Sequence, residues 1–354
     1  MKTFALTQKM RGFSLVEIMV GMIIGMIGII VIMQVTSVFE GQKRTTTGGD
    51  DAQNNGAIAL HGISLDVKQA GYGFSNPALL GDGLVTPNVT LNNLAPVTII
   101  NNGSCNKCAF NVDADTDAFM VVYGNSNTTA DGALITSTTG GNYNITRGAT
   151  TAVAVAGAGG AAFVESDYVT PDNGATGVAA TNPHYLYQVN APNAGAVPIN
   201  DLAYGIPHPT LVNDKATGGN HPILFNFGRA PAILVYAVNG GTLWVCNFMQ
   251  QDCAATPATP TWTPLAEGIV SMRAECTTAA PAYAMRLVLV SRSVQSDLAV
   301  TSNVPTWGGL SAINLTGTNV PVGFGWQNFR YKTFETVIPL RNVAWSGKGV
   351  AGCL

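Results

Sequence analysis

The chain has 354 residues, of which only 10% are charged, and its 17 basic and 20 acidic side chains give a net charge of −3. It contains no basic stripe with interleaved aromatic residues, so the sequence predicts no nucleic-acid partner. The 40 glycines and the scarcity of charge favour extended β-structure joined by polar loops over a typical cytosolic enzyme. An even number of cysteines, six, fits an exported protein with disulfides.

The N-terminal segment is a basic leader followed by a long apolar run. Residues 1–12 carry three basic side chains and no acid, and Ile18–Met33 is a run of 16 residues without a polar side chain. One helix from Phe13 to Phe39 would extend about 40 Å at about 1.5 Å per residue, enough to cross a hydrocarbon core of about 30 Å. The basic leader predicts a cytoplasmic N-terminus, with the chain beyond about residue 40 outside.

Two ordinary interpretations of this run are a secretory signal peptide and a simple membrane anchor. Val35 and Ser37 could precede a signal-peptidase site, but 16 apolar residues are long for a signal-peptide core. A simple anchor accounts for the length. Neither accounts for the carboxylate of Glu17 at the start of the run, because an unpaired charge at a bilayer centre costs about 2.5–3.5 kcal/mol.

The string Gly12-Phe13-Ser14-Leu15-Val16-Glu17 resembles the class III signal of type IV pilins and pseudopilins. The resemblance implies that prepilin peptidase cuts between Gly12 and Phe13, N-methylates Phe13, and leaves the apolar helix in the mature chain. It also implies that Glu17 pairs with the new α-amine of a neighbouring subunit, or of its own chain, when subunits assemble into a filament. A carboxylate in apolar surroundings is tolerated only when it is paired, so this acid would favour one axial register.

Three glycines, Gly21, Gly25 and Gly28, lie on the same predicted helix. The spacing of Gly21 and Gly25 is a GxxxG pattern, which allows close approach of helices in lipid. Glycine is also generally commoner in membrane helices, and local flexibility of the helix is a further interpretation. A packing role for the three glycines therefore stays a hypothesis.

The segment after the apolar run is predicted to break and then resume as an amphipathic helix. Thr45–Gly49 is a poor helix former and is expected to weaken or break the helix, with Asp50 or Asp51 capping a second segment. Gly71 and Gly73 are expected to end that segment.

Apolar residues recur at helical spacing in this second segment, while its polar residues are expected to face elsewhere. The apolar positions are Ala52, Ala59, Ile63, Val67 and Ala70, and the polar positions are Asp66, Lys68 and Gln69.

Beyond residue 75 the pattern predicts β-structure, with apolar or alternating stretches between turns rich in glycine, asparagine and proline. The predicted strands are Pro96–Ile100, Phe119–Tyr123, Ala133–Ser137, Tyr185–Val189, Ile223–Phe227, Ile233–Val238, Leu243–Phe248, Met285–Ser291 and Thr333–Ile338. The sequence Asn239-Gly240-Gly241 predicts a hairpin turn. The segment 125–183 is interpreted as a loop-rich insertion.

Four segments resemble the PilW family of minor pilins, which is related to the GspJ-type pseudopilins of type II secretion. These segments are Leu60–Tyr72, Leu265–Cys276, Ala284–Ser293 and Phe334–Trp345. The resemblance implies an α+β pilin-like fold in which a long N-terminal helix packs on an antiparallel sheet. The implied divisions are a leader (1–12), a transmembrane and filament-core helix (13–40), an amphipathic half (41–73) and a β-rich head (74–354).

The sequence indicates no catalytic, cofactor or metal site, and an enzyme is not predicted. His61, His184, His208 and His221 lack ligand spacing, and the last three lie beside proline and are interpreted as turn or loop residues. Asp113-Ala-Asp115-Thr-Asp117 has the start of a calcium loop but not the glycine and glutamate that an EF-hand needs, which favours acids in a turn before a strand.

The cysteines suggest local disulfides. Cys105 and Cys108 could form half a zinc site or a redox pair, but no second CxxC is present, and a local disulfide is favoured outside the cytoplasm. Cys246 could pair with Cys253 across a short loop. This leaves Cys276 and Cys353, although six cysteines allow 15 pairings.

The predicted function is that of a minor pilin that primes type IV pilus assembly in a tip complex. The resemblance implies as partners prepilin peptidase, other minor pilins, the major pilin, a large tip adhesin and, before assembly, inner-membrane lipid. The expected location is the inner membrane, with a cytoplasmic N-terminus and a periplasmic head, and then the pilus. The main alternative is a minor pseudopilin of type II secretion. A membrane-anchored binding module and an anchored periplasmic enzyme are two further alternatives.

Overall fold

The computed structural model describes residues 12–74, 79–100, 105–126, 132–139, 142–147, 151–152, 163–172, 184–190, 196–200, 223–255, 262–277, 284–297, 301–316 and 320–344. Its longest element is the helix α1, Leu15–Gln69. The chain divides into two compact units, Met1–Asp50 and Asp51–Leu354, and α1 contributes residues to both. The long apolar helix followed by antiparallel sheets confirms the predicted α+β pilin-like fold.

The expected break at Thr45–Gly49 is wrong, because these residues are helical. The hydroxyl of Thr46 donates to the carbonyls of Gln42 and Lys43 on the preceding turn, at 3.0 and 3.1 Å. Glycine costs about 1 kcal/mol relative to alanine in a helix, and threonine costs less, so a few such residues lower helix stability without ending the helix.

The described residues contain eighteen strands. In chain order they are β1 (Leu84–Val85), β2 (Thr90–Leu91), β3 (Val97–Ile100), β4 (Ala118–Tyr123), β5 (Ala133–Thr139), β6 (Asn142–Arg147), β7 (Thr151–Ala152), β8 (Tyr168–Asp172), β9 (His184–Tyr185), β10 (Tyr187–Val189), β11 (Ala196–Asn200), β12 (Ile223–Gly228), β13 (Ala232–Asn239), β14 (Thr242–Asn247), β15 (Thr263–Glu267), β16 (Ile269–Cys276), β17 (Ala284–Arg292) and β18 (Tyr331–Pro339). A 3-10 turn, Trp326–Asn328, and a short helix α2, Arg341–Ala344, complete the regular structure.

Two antiparallel sheets pack against the part of α1 from residue 51 to residue 69. A five-stranded sheet has the order β15-β14-β13-β4-β3, and a three-stranded sheet has the order β16-β17-β18. The turn between β13 and β14 is the predicted hairpin, in which Gly240 and Gly241 have φ angles of 62° and 72°. Both residues need the left-handed conformation of a type I′ turn, which glycine adopts without strain.

The principal core lies between α1 and these two sheets. The helix contributes Ala59, Ile63 and Val67, all fully buried, and Ala52, which is 2% exposed; Ala70, directly after the helix, is also fully buried. All five predicted core positions of the helix are therefore buried. The helix ends at Gln69, and the amide of Gly71, whose φ is +81°, donates to the carbonyl of Val122 in β4 at 2.9 Å.

The remaining sheets lie on the other side of the five-stranded sheet. A small sheet has the order β2-β1-β9 with β1 and β9 parallel, and a larger sheet has the order β11-β10-β8-β12-β5-β6-β7. An additional antiparallel pairing of β11 with β6 closes six strands of the larger sheet into a ring. Strands β5 to β8 lie within 125–183, so this segment contributes sheet as well as loops.

Candidate functional site

The N-terminal segment begins with a defined helix start. The carbonyl of Ser14 accepts hydrogen bonds from the amides of Glu17 and Ile18, at 3.0 and 3.2 Å, and α1 begins at Leu15. Glu17 therefore lies in the first helical turn, where unpaired backbone N–H groups favour a negative charge. Its side chain is exposed and makes no ion pair with any described residue.

The apolar side chains of this segment are exposed on all sides of the helix. The large apolar residues from Phe13 to Phe39 are between 48% and 80% exposed. By length and composition, α1 could cross a membrane, since its most apolar 18-residue window has a mean hydropathy of 2.7 and is unburied. So large an exposed apolar surface indicates contact with lipid or with other chains.

The three glycines of the apolar segment have no close neighbours within the described part of the chain. A Cβ atom added at Gly21, Gly25 or Gly28 would meet no atom within 4 Å. The packing of this chain alone therefore gives no reason for glycine at these positions.

The three predicted turn acids of the head diverge to separate partners. Asp113 accepts hydrogen bonds from the amides of Gly240 and Gly241 at 2.9 Å each, and so holds the β13–β14 hairpin. Asp115, with φ of 59°, accepts from the side-chain amide of Asn314 at 2.7 Å.

Asp117 is 1% exposed and has a structural role. It pairs with Arg273 at 3.0 Å and accepts from the amide of Ala274 at 3.0 Å. Across the described ranges, no three histidine, cysteine or acidic residues come together as a metal site.

The interpretation of His184 as a turn or loop residue is wrong. It lies in β9, is 6% exposed, and its ring nitrogens lie 3.2 Å from the carboxylate of Asp82 and the carbonyl of Pro171. Parallel pairing of β9 with β1 places His184 in this buried position. The sequence did not predict it because a strand of two residues has no recognisable pattern. His61 is exposed on α1, and His208 and His221 lie outside the described residues.

Among the described residues there are two local disulfides, Cys105–Cys108 and Cys246–Cys253, which are the two short-range pairs that the sequence favoured. Cys276, at the end of β16, is also disulfide-bonded. Its expected partner, Cys353, lies outside the described residues.

One polar cluster was missed by sequence reasoning. Asp66 was expected to face away from the sheet, yet its carboxylate accepts hydrogen bonds from the hydroxyls of Tyr123, at 2.8 Å, and Tyr236. Burial is the main cause that raises the pKa of both tyrosines, and the neighbouring carboxylate raises it further. The cluster ties α1 to β4 and β13, which is a structural role.

The comparisons with known proteins agree with the N-terminal geometry. A family profile described as the prokaryotic N-terminal methylation motif matches residues 7–33. No curated protein and no solved structure matches the chain. The profile match supports a type IV pilin-like or pseudopilin-like protein that is processed by prepilin peptidase, is anchored in a membrane and has a structural role.

Proposed function

We propose that this chain is a minor pilin of the PilW type that takes part in priming type IV pilus assembly. The observation that carries the proposal is the methylation motif at residues 7–33, directly before an apolar helix whose side chains are exposed. The exposed helix surface needs lipid before assembly and other helices afterwards, which is the environment that a pilin encounters.

In this proposal the chain enters the inner membrane with its N-terminus in the cytoplasm and its head in the periplasm. Prepilin peptidase removes residues 1–12 by cutting between Gly12 and Phe13, and Phe13 becomes N-methylated. The α-amine of Phe13 then pairs with Glu17 of a neighbouring subunit or of its own chain. The position of Glu17 in the first turn supports this role, since its carboxylate is exposed near the chain end that cleavage would create.

We assign a separate role to each segment of the chain, in order from the N-terminus. Residues 13–40 form the transmembrane and filament-core helix, with Gly21, Gly25 and Gly28 permitting close approach of neighbouring helices. Residues 41–73 join that helix to the head, 74–354. A head of this size would crowd lateral packing along a filament shaft, which favours a place at the tip with other minor pilins, next to the major pilin and a large tip adhesin.

A clean deletion strain tests the proposal. Sheared surface pili and the secreted protein profile are quantified in the same cultures, with a strain re-expressing the chain as control. Few or no pili with normal secretion is the expected result. Normal pili with a lost set of secreted proteins would assign the chain to type II secretion as a minor pseudopilin, and no change in either would contradict a role in assembly priming.

A further inference from the structure

The three-stranded sheet ends in a long strand with an open side. Strand β18 pairs with β17 over nine residues without a bulge, from Ala284 opposite Pro339 to Arg292 opposite Tyr331. In the described part of the chain no strand lies on its other side. A long regular edge of this kind is a template for pairing with another chain.

Hydrogen bonds at the two ends of β17 reveal which residues of β18 point to the open side. The carbonyl of Ala284 accepts from Thr277 and the amide of Arg292 donates to Gly268, both on the β16 side of β17. Their partners in β18, Pro339 and Tyr331, therefore belong to pairs that do not hydrogen-bond with β17.

In an antiparallel pair the hydrogen-bonded and non-bonded positions alternate, so every second residue of β18 turns its backbone outward. The N–H groups of Tyr331, Thr333, Glu335 and Val337 face the open edge, while Pro339 offers only its carbonyl. No described residue accepts a hydrogen bond from any of these four N–H groups. The residues Thr333, Glu335 and Val337 are also exposed.

One exposed apolar side chain, that of Val337, lies at this edge on one face of the sheet. Val337 is 48% exposed and lies opposite Arg286, which in turn lies opposite Glu275 on β16. The amide of Gly308 donates to Glu335 on β18 at 3.2 Å and the amide of Leu310 donates to Glu275 on β16 at 2.8 Å, so this loop crosses the same face of the sheet away from the open edge.

The charges next to the edge indicate what kind of strand fits. Glu335 lies 3.9 Å from Arg286, whereas Lys332 is exposed and makes no ion pair with a described residue. A second copy of β18 paired antiparallel over its full length would place Glu335 opposite Glu335, which is unfavourable. Lys332 and Val337 are five residues apart and so lie on opposite faces of the sheet.

We propose that an extended segment of a neighbouring, different subunit adds to the open edge of β18 as a fourth strand. An apolar side chain of that segment lies against Val337, and a carboxylate on its other face pairs with Lys332. Backbone hydrogen bonds provide affinity and the flanking side chains provide selectivity, as in other strand additions. The identity of the partner as an assembly subunit rests on the proposed function, whereas the open edge does not.

Amide hydrogen exchange at residue resolution tests the proposal on the full chain. The chain is measured alone in detergent micelles and within the assembly extracted from the cell envelope in the same detergent. The amides of Thr333, Glu335 and Val337 are expected to exchange fast in the isolated chain and at least about tenfold more slowly in the assembly. Fast exchange in both states would overturn the proposal, and slow exchange in both would mean that the chain covers its own edge.

A matched pair of variants separates the backbone from the side chain. Val337→Pro removes one outward N–H and leaves the bonds to β17, while Val337→Thr keeps that N–H in a side chain of similar shape. Val337→Pro is expected to reduce incorporation into the assembly about fivefold to tenfold relative to Val337→Thr, and equal incorporation would contradict strand addition. Thr333→Pro repeats the comparison if thermal unfolding shows that Val337→Pro is not folded.

These outcomes are independent of the test of function. Normal pili and normal secretion in the deletion strain would refute assembly priming, while protection of the edge amides would still establish an intermolecular strand. Lost pili with unprotected edge amides would refute only the strand addition.

Discussion

Replacing Asp66 by alanine should loosen the attachment of α1 to the head. Asp66 is the common acceptor for the hydroxyls of Tyr123 and Tyr236, which come from neighbouring strands of the five-stranded sheet. The substitution shortens the helix side chain without altering helix propensity unfavourably, since alanine is the best helix former. Any loss of stability therefore reports on the two tyrosine hydroxyls.

The size of the loss follows from the burial of the two donors. Tyr236 is 2% exposed, so its hydroxyl would be left buried without an acceptor, at a cost of about 1–3 kcal/mol. Tyr123 is only partly buried, and water can replace the carboxylate, which makes its contribution about 0.5–1 kcal/mol. The expected destabilisation by Asp66→Ala is about 2–4 kcal/mol, and Asp66→Asn, which keeps one acceptor oxygen, should lose about 1 kcal/mol.

A double-mutant cycle with Tyr236→Phe measures the interaction directly. Urea unfolding of the full chain in detergent micelles, followed by near-ultraviolet circular dichroism, gives the free energy of unfolding of Asp66→Ala, Tyr236→Phe and the double variant. The double variant should be about 1–2 kcal/mol more stable than the sum of the two single losses predicts. The reason is that Asp66→Ala leaves the hydroxyl of Tyr236 buried without an acceptor, and Tyr236→Phe removes that hydroxyl. Additive losses within about 0.5 kcal/mol would refute the reasoning.

Three other predictions concern the tyrosine cluster, the helix packing and the proposed assembly. Burial raises the pKa of Tyr236 above its ordinary value of about 10, so the stability it contributes is complete below pH 10 and falls as pH rises. The chain has ten tyrosines, so the signal of Tyr236 is taken as the tyrosinate absorbance that Tyr236→Phe removes. This absorbance should appear only together with unfolding, and its appearance in the folded state would contradict the prediction. Gly56→Ala should lower the free energy of unfolding by about 1–3 kcal/mol in the same urea assay, because its Cβ would overlap the ring of Phe334. The control Gly62→Ala should be neutral or stabilising, because its Cβ would have its nearest contacts at 4.0 Å. Equal effects of the two substitutions would refute the packing argument. Glu17→Ala or Glu17→Val should still be cleaved but be depleted from sheared pili on immunoblots, and normal incorporation would contradict the pairing role.

The helix and most long strands could be predicted because their signals are local. Five apolar residues at helical spacing are the five that are buried, and Asn239-Gly240-Gly241 needs only its own backbone conformation to form a hairpin. The start of the helix is equally local, since Ser14 and Glu17 are separated by one turn.

The polar contacts of the head could not be predicted because their partners are distant in sequence. Asp66 is a polar residue beside an apolar helix face, and the tyrosines whose hydroxyls donate to it are 57 and 170 residues away in the sequence. His184 joins Asp82 across 102 residues by way of a two-residue strand. Helix propensity predicted a break at Thr45–Gly49 because it weighs each residue by its own preference, whereas backbone hydrogen bonding continues through the segment.

The contrast between the two units indicates where the function lies. In the head, the acids that the sequence singled out, Asp113, Asp115 and Asp117, each bind a group of the same chain and stabilise its fold. In the N-terminal unit, Glu17 and the apolar side chains around it have no such partner among the described residues. An exposed apolar surface of this size is stabilised by contact with lipid or with other chains. The outward N–H groups of β18 likewise have no partner among the described residues, which is why we propose contacts with other subunits at both places.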